Sequence, residues 1–363
     1  MFLHLNIDKK RHRYYTVICI IHLEMTILMY DITPLIKQIS ETVKKHRLDV
    51  PGAYCRRLWQ NDDNPEMLGI NEYGCADAIN ILYTITEMPS ETDREAYINV
   101  LQSLQNPETG LFTEKTHHPI HTTAHCTAAL ELLDAKPLYP LFELQKYLDK
   151  KTLYSFLDNL NWKTAPWTES HKGAGIYAAL VLSGEANIEW QQIYFDWFWE
   201  NADSETGFWR KNMVVPHKWE QWVSVFPVLA GSFHYLFNHE YAKMPLRYPD
   251  KMIDSCIDIF QNKKWPMLGK QINFAEVDWI YCLNRSRRQT PHRFEEATAE
   301  LKKFADIYIP YLMSVDYETD EDFNDMHMLF GMTCALAELQ QALPGYIHTE
   351  KPLRLVLDRR PFI

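Results

Sequence analysis

Residues 116–133 read THHPIHTTAHCTAALELL. His117, His118, His121 and His125 give way to a run of small and apolar residues, with Leu130, Leu132 and Leu133 on its apolar side. Threonines at the head followed by such a run predict a helix entered from a polar loop. Just upstream, residues 101–112 read LQSLQNPETGLF, a helix end running into a Pro/Gly turn with an aromatic after the glycine. The unit is helix, aromatic turn, polar cluster, then a helix of small residues.

The rest of the chain repeats that unit. From Asp31 onward the helical patterns come in pairs, and little of the sequence alternates as strands do. Second members start near residues 75, 121, 170, 219, 274 and 322, a spacing of roughly 46–55 residues typical of repeat architectures. They are rich in Gly, Ala, Ser and Cys, as in GAGIYAAL, LAGS and GMTCALA, and small residues let neighbouring backbones approach. First members carry more charge and a clearer apolar stripe, as an outer layer would. The reading is an all-α chain with a single domain over 31–363, six helical hairpins closing as an (α/α)6 toroid with inner and outer rings. A linear solenoid is the competing closure.

Composition narrows the function. A chain of 363 residues has ample length for a buried core, and 46% hydrophobic residues with mean hydropathy −0.34 describe a soluble protein. Net charge is −11, with no basic patch outside the first residues. No nucleic-acid or membrane partner is expected from that balance. The 7 cysteines are odd in number, scattered and without a CxxC pair, which reads as reduced thiols in a cytoplasmic protein. Residues 1–30 differ from the rest: KKRHRYY before TVICIIHLEMTILMY imitates a signal anchor. His22 and Glu24 interrupt the run, which falls short of the ~20 apolar residues a span requires. Met25 and Met29 are alternative starts, and the segment is expected to lie outside the fold.

The hairpin pattern resembles the six-hairpin glycosidase superfamily, which includes unsaturated glucuronyl hydrolases and sugar epimerases, and the architecturally related toroids of terpenoid cyclases and protein prenyltransferases. Residues Gln105–Phe112 (QNPETGLF) are similar to the Gln-and-aromatic turn of the cyclases, and Asn201–Trp209 (NADSETGFW) is a looser copy. The same Asp/Glu-Thr-Gly-aromatic turn occurs in six-hairpin glycosidases. The likeness covers Asp31 to about Leu343 as architecture and assigns no particular family. Thr319–Phe323 (TDEDF) lacks the Asp-x-Asp-Asp acid of class II cyclases, and Asp278 and Cys282 are too far apart for the zinc-binding Asp-x-Cys pair of prenyltransferases. Those two chemistries are disfavoured; the resemblance implies a carbohydrate-active enzyme.

In such a toroid the N-termini of the inner helices converge on one mouth, where every repeat carries acids, imidazoles or both. Hairpin one offers Asn71, Glu72, Tyr73 and Asp77; hairpin two His117, His118, His121 and His125; hairpin three Trp167, Glu169 and His171. Hairpin four offers His217, Trp219 and Glu220, hairpin five Glu276, Asp278 and Trp279, and hairpin six Asp322, Asp325 and His327. Glycoside hydrolysis needs one protonated acid and a second carboxylate, and the pool for those roles is Asp77, Glu169, Glu276, Asp278 and Asp325. Glu276 and Asp278, two apart on a helix, cannot both face one lumen. His121, His125 and His171 would bind hydroxyls or, in an epimerase or lyase, move the proton. Trp59, Asn71, Tyr73, His117, Trp167, His217, Trp219, Trp279 and His327 are the expected substrate contacts, the indoles as platforms for a small-molecule or oligosaccharide substrate. Arg56 or Arg57 in RRLW could hold a carboxylate. Each acid at a helix start also has a simpler reading as a cap, and each Trp as core. His121 and His125 share a face at i,i+4, but without HExxH or an evident third ligand no metal and no cofactor are expected.

Overall fold

The computed structural model describes residues 30–59, 65–209 and 226–363. Among them are thirteen α-helices and a single two-stranded parallel pairing of β1 (Tyr30–Asp31) with β2 (Ile347–His348). In chain order the helices are α1 Thr33–Lys45, α2 Glu72–Thr84, α3 Glu91–Ser103, α4 Pro119–Leu132, α5 Lys150–Asn159, α6 Pro166–Ser183, α7 Ile188–Asn201, α8 Phe226–Ala242, α9 Pro249–Gln261, α10 Phe274–Ser286, α11 Phe294–Ser314, α12 Met326–Ala342 and α13 Val356–Arg359. None of these helices is long and apolar enough to cross a membrane. Most of the expected N-terminal extension, residues 1–29, and the expected helix start near residue 219 lie outside the described residues.

Even-numbered helices α2 to α12 are buried around most of their circumference. Every residue from Ile120 to Leu130 of α4 is buried, as is every residue from Ala275 to Ser286 of α10; a helix apolar on all sides belongs in a core. These six pack in order, α2 on α4, α4 on α6, α6 on α8, α8 on α10 and α10 on α12, and α12 in turn packs on α2. Small residues permit the approach: a Cβ on Gly231 of α8 would lie 3.0 Å from the Pro166 carbonyl of α6. Odd-numbered helices are amphipathic. In α9, Met252, Ile253, Cys256, Ile257 and Ile259 are buried while Asp250, Lys251, Asp254 and Asp258 are not, and α9 packs on α10. Such one-sided burial is what the charged first members of each pair require.

The turn joining α3 to α4 is built twice. Gly110 N donates to Asn106 O at 2.8 Å and Asn106 N to Leu111 O at 2.9 Å; Gly207 N donates to Asp203 O at 2.8 Å and Asp203 N to Phe208 O at 2.9 Å. Thr109 and Thr206 accept from the residues two further on. Phe112 N reaches Thr123 of α4, and Trp209 N reaches Ser232 of α8, each at 3.0 Å. Positive φ at Gly110 (+77°) and Gly207 (+75°) is cheap only for glycine, and a Cβ at Gly110 would sit 1.9 Å from Pro140 O. The turn recurs without glycine at Asn161–Ala165 and Asp316–Asp320, where the first side chain accepts from the threonine or its neighbour.

Observed starts of the buried helices at residues 72, 119, 166, 274 and 326 replace the expected 75, 121, 170, 274 and 322. The shifts have local causes: Asn71 caps α2 and Asp325 caps α12, while Pro119 and Pro166 open α4 and α6. All six described cysteines are unpaired and buried.

Candidate active site

Helices α4, α6, α8, α10 and α12 surround a cavity of about 290 Å³. Its lining includes His117 and His121 at α4, Trp167, Thr168 and His171 of α6, His234 of α8, Asn273, Phe274 and Asp278 at α10, and His327 and Met328 of α12. Ile363 also lines it: after α13 Asn238 donates to Pro361 O at 3.1 Å, and the Phe362 ring lies 4.9 Å from that of His121.

Five imidazoles therefore share one small space. Tyr73 Oη is hydrogen-bonded to His121 Nδ1 at 2.5 Å. His234 Nδ1 is fixed 2.9 Å from Ala230 O and 3.1 Å from Ser170 Oγ. Burial depresses all of these side chains: His121, His171 and His327 well below the ordinary histidine range, and His234 to about 3. They are neutral at physiological pH, with lone pairs available.

Beside the cavity Asp77 joins one of these rings, His327, to His125 behind it. Its Oδ1 is 2.7 Å from His125 Nε2 and its Oδ2 3.0 Å from His327 Nδ1. That leaves Nε2 of His327 for the cavity the ring lines. Burial raises Asp77 well above the carboxylate range, against the pull of Arg56 and Arg360.

Asp278 is different. It is fully buried, lines the cavity, and neither carboxylate oxygen has a hydrogen-bond partner among the described residues. Burial, then the nearby Glu276, push its pKa well up. A buried unpartnered polar group costs roughly 1–3 kcal/mol, and folded proteins rarely keep one without a use.

The other expected acids are employed elsewhere. Glu276, two residues away, turns from the cavity, accepts from Gly269 N at 3.0 Å, and is raised by burial to about 8. Asp325 caps α12 and pairs with Arg56 and Arg57, each at 3.0 Å. Glu169 pairs with Lys172 at 2.6 Å and accepts from Asn161 N. Asp77 is reached only through His125 and His327. Of the five pooled carboxylates, Asp278 alone lines the cavity. Among the expected contacts, His117, Trp167 and His327 line it, as do His121 and His171 from the catalytic set, while His125 lies behind with Asp77. Tyr73 supports His121, and Asn71 caps α2 by accepting from Tyr73 N and Gly74 N. Trp279 is fully buried and donates to Cys256 O at 2.8 Å, a core role, and Trp59 is exposed. Arg56 and Arg57 both pair with Asp325. His217, Trp219 and Glu220 lie outside the described residues.

Sequence reasoning missed Thr168, His234, Asn273, Phe274, Met328 and Ile363. His234 is embedded in GSFHYLF, two turns into its helix, where an apolar neighbourhood hides its aim; the small residues Gly231 and Ser232 beside it were the available signal. No protein-family model, curated protein or solved structure matches the chain.

Proposed function

We propose that the chain is a carbohydrate-active enzyme on a closed ring of six helical hairpins, an (α/α)6 toroid, and that it moves protons on a single sugar or uronic acid unit. The mutual packing of α12 on α2 supports the ring closure. The observation carrying the function is Asp278, buried and unpartnered beside an imidazole-lined cavity. At about 290 Å³ the space stands at the small end of ligand sites, which run roughly 300–1,000 Å³, and suits one ring rather than a chain. Trp167 and Phe274 offer apolar faces, and the imidazoles and Asn273 offer hydroxyl partners.

Two-carboxylate hydrolysis needs a second acid facing the substrate, and only Asp278 of the pool does so. Epimerisation or elimination fits better. Asp278 exchanges a proton with the substrate from one side of the cavity, and Nε2 of His327, its other nitrogen held by Asp77, does so from the α12 side. The high pKa of Asp278 and the low pKa of His327 bring acid and base strengths toward each other, as proton transfer near neutrality requires.

A screen of saturated and unsaturated uronides and aldoses, followed by Asp278→Asn and His327→Gln, tests this reading. Each substitution should lower turnover by ~10²–10⁴-fold with the fold intact. No turnover of any sugar, or full activity in both variants, would reject it.

A further inference from the structure

Three of the cavity's histidines form a set that the acid–base reading does not use. His121, His171 and His234 each present a ring nitrogen within 4.8 Å of the other two, although they come from three different helices. We propose that these three imidazoles hold a divalent transition-metal ion at the floor of the cavity, with open coordination positions facing Asp278.

The approach of the three nitrogens has no hydrogen-bond explanation. In the neighbouring set, Asp77, His125 and His327, the same closeness is accounted for by the 2.7 and 3.0 Å bonds that Asp77 makes to both rings. In the first set one nitrogen of two rings is already engaged: Nδ1 of His121 by Tyr73, and Nδ1 of His234 by Ala230 O and Ser170. Each of these two rings is thus fixed with Nε2 as the remaining donor atom. Metal-binding histidines are held in this way by a hydrogen bond to the opposite nitrogen, which sets the ring's orientation and raises its donor strength.

The second observation is independent of the histidines. Asp278 faces the same space, fully buried and without a hydrogen-bond partner among the described residues. A cation across the cavity supplies the opposite charge that this carboxylate lacks, either directly or through a bound water. Three nitrogen ligands with a fourth position open is the arrangement of catalytic rather than structural zinc sites. Imidazole donors select Zn²⁺, Co²⁺ or Ni²⁺ over Mg²⁺ or Ca²⁺, which prefer all-oxygen sites. Zinc–nitrogen bonds of about 2.0–2.1 Å require the rings to close by rotation, and the adjoining cavity gives them room.

The experiment uses the full chain, treated with chelator and dialysed, then titrated with Zn²⁺ by calorimetry and with Co²⁺ by visible absorption, without substrate. One ion per chain is expected, with the intense d–d bands of low-coordinate nitrogen-bound cobalt. His171→Gln, at a half-buried position, and His234→Gln should weaken binding by more than ~100-fold. Tyr73→Phe should weaken it ~10–100-fold, as loss of a supporting hydrogen bond does. His125→Gln, in the neighbouring set, should keep one ion with its cobalt spectrum. Absence of saturable uptake by the full chain overturns the proposal. So does uptake unaffected by His171→Gln, or uptake abolished by His125→Gln instead. Because binding is read on the resting protein, its outcome is separate from whether any sugar is turned over.

Discussion

The two ends of the buried helices treat charge in opposite ways. At their C-terminal ends Arg285 of α10 reaches Glu338 of α12, Asp358 of α13 and Glu240 of α8. Glu338 also accepts from Asn284 at 2.8 Å. Arg285 and Glu338 are almost wholly buried, yet both are bonded, and together they tie four helices. At the N-terminal ends the buried acids Asp77, Glu276 and Asp325 are bonded as well, but Asp278, facing a cavity lined by five imidazoles, has no hydrogen-bond partner among the described residues. The Arg285 cluster satisfies its charges and serves the fold, although Arg360 beyond α13 is buried with no hydrogen-bond partner among the described residues. The N-terminal side leaves Asp278 bare at a cost in stability, and a substrate or an ion is what such an arrangement can use.

Substitutions should separate the ends. The largest effect expected is on turnover: Asp278→Asn should reduce it by ~10²–10⁴-fold, equivalent to about 3–5 kcal/mol of barrier, while the melting temperature holds. Arg285→Ala should do the reverse. Removing one partner of a buried ion pair strands the other and typically costs ~3–5 kcal/mol, so chemical denaturation should show a large loss of stability. Activity per folded molecule should persist. A cavity function that vanished in folded Arg285→Ala protein would show that the two ends are coupled.

Acid should weaken the fold through histidines away from the cavity. Burial holds His46 and His239 at about 4, against the smaller upward pull of backbone carbonyls at Cys55 and Tyr235. An unfolded histidine titrates near ~6.5, so between these values the unfolded chain binds more protons and stability falls as pH drops. The slope contributed by each is up to about 1.4 kcal/mol per pH unit. Denaturation midpoints at pH 7, 5.5 and 4.5 would check it, and replacing His239 with Gln should flatten the dependence. The smallest expected effect is Gly110→Ala, which puts a side chain at positive φ against Pro140 O and should cost more than ~1 kcal/mol; denaturation would measure it.

The helices were legible because burial on all sides and burial on one stripe leave different residue patterns. GAGIYAAL and MIDSCIDIF can be told apart without coordinates. The turn at Asn106–Gly110 was legible for the same local reason, whereas its counterparts at Asn161 and Asp316 lack the glycine and passed unseen. The site was less readable, because an acid at a helix start looks alike whether it caps, pairs or faces a cavity. Asp325 meets two arginines from a loop some 270 residues earlier in the chain, Glu276 meets a turn, and Asp278 has no hydrogen-bond partner among the described residues; the residues around each do not announce the difference. Arg360, Phe362 and Ile363 lie beyond the repeated helices, yet all three are buried, with Arg360 over the Phe330 ring.

The most direct measurement needs no substrate. Asp278→Leu replaces an unpartnered buried carboxylate with an apolar side chain beside an open cavity. If Asp278 is retained for function against stability, urea denaturation should find the variant more stable by about 1–3 kcal/mol, with the slope unchanged. A variant that is destabilised by a similar amount would mean that Asp278 has a structural partner and that the contrast between the two ends is false.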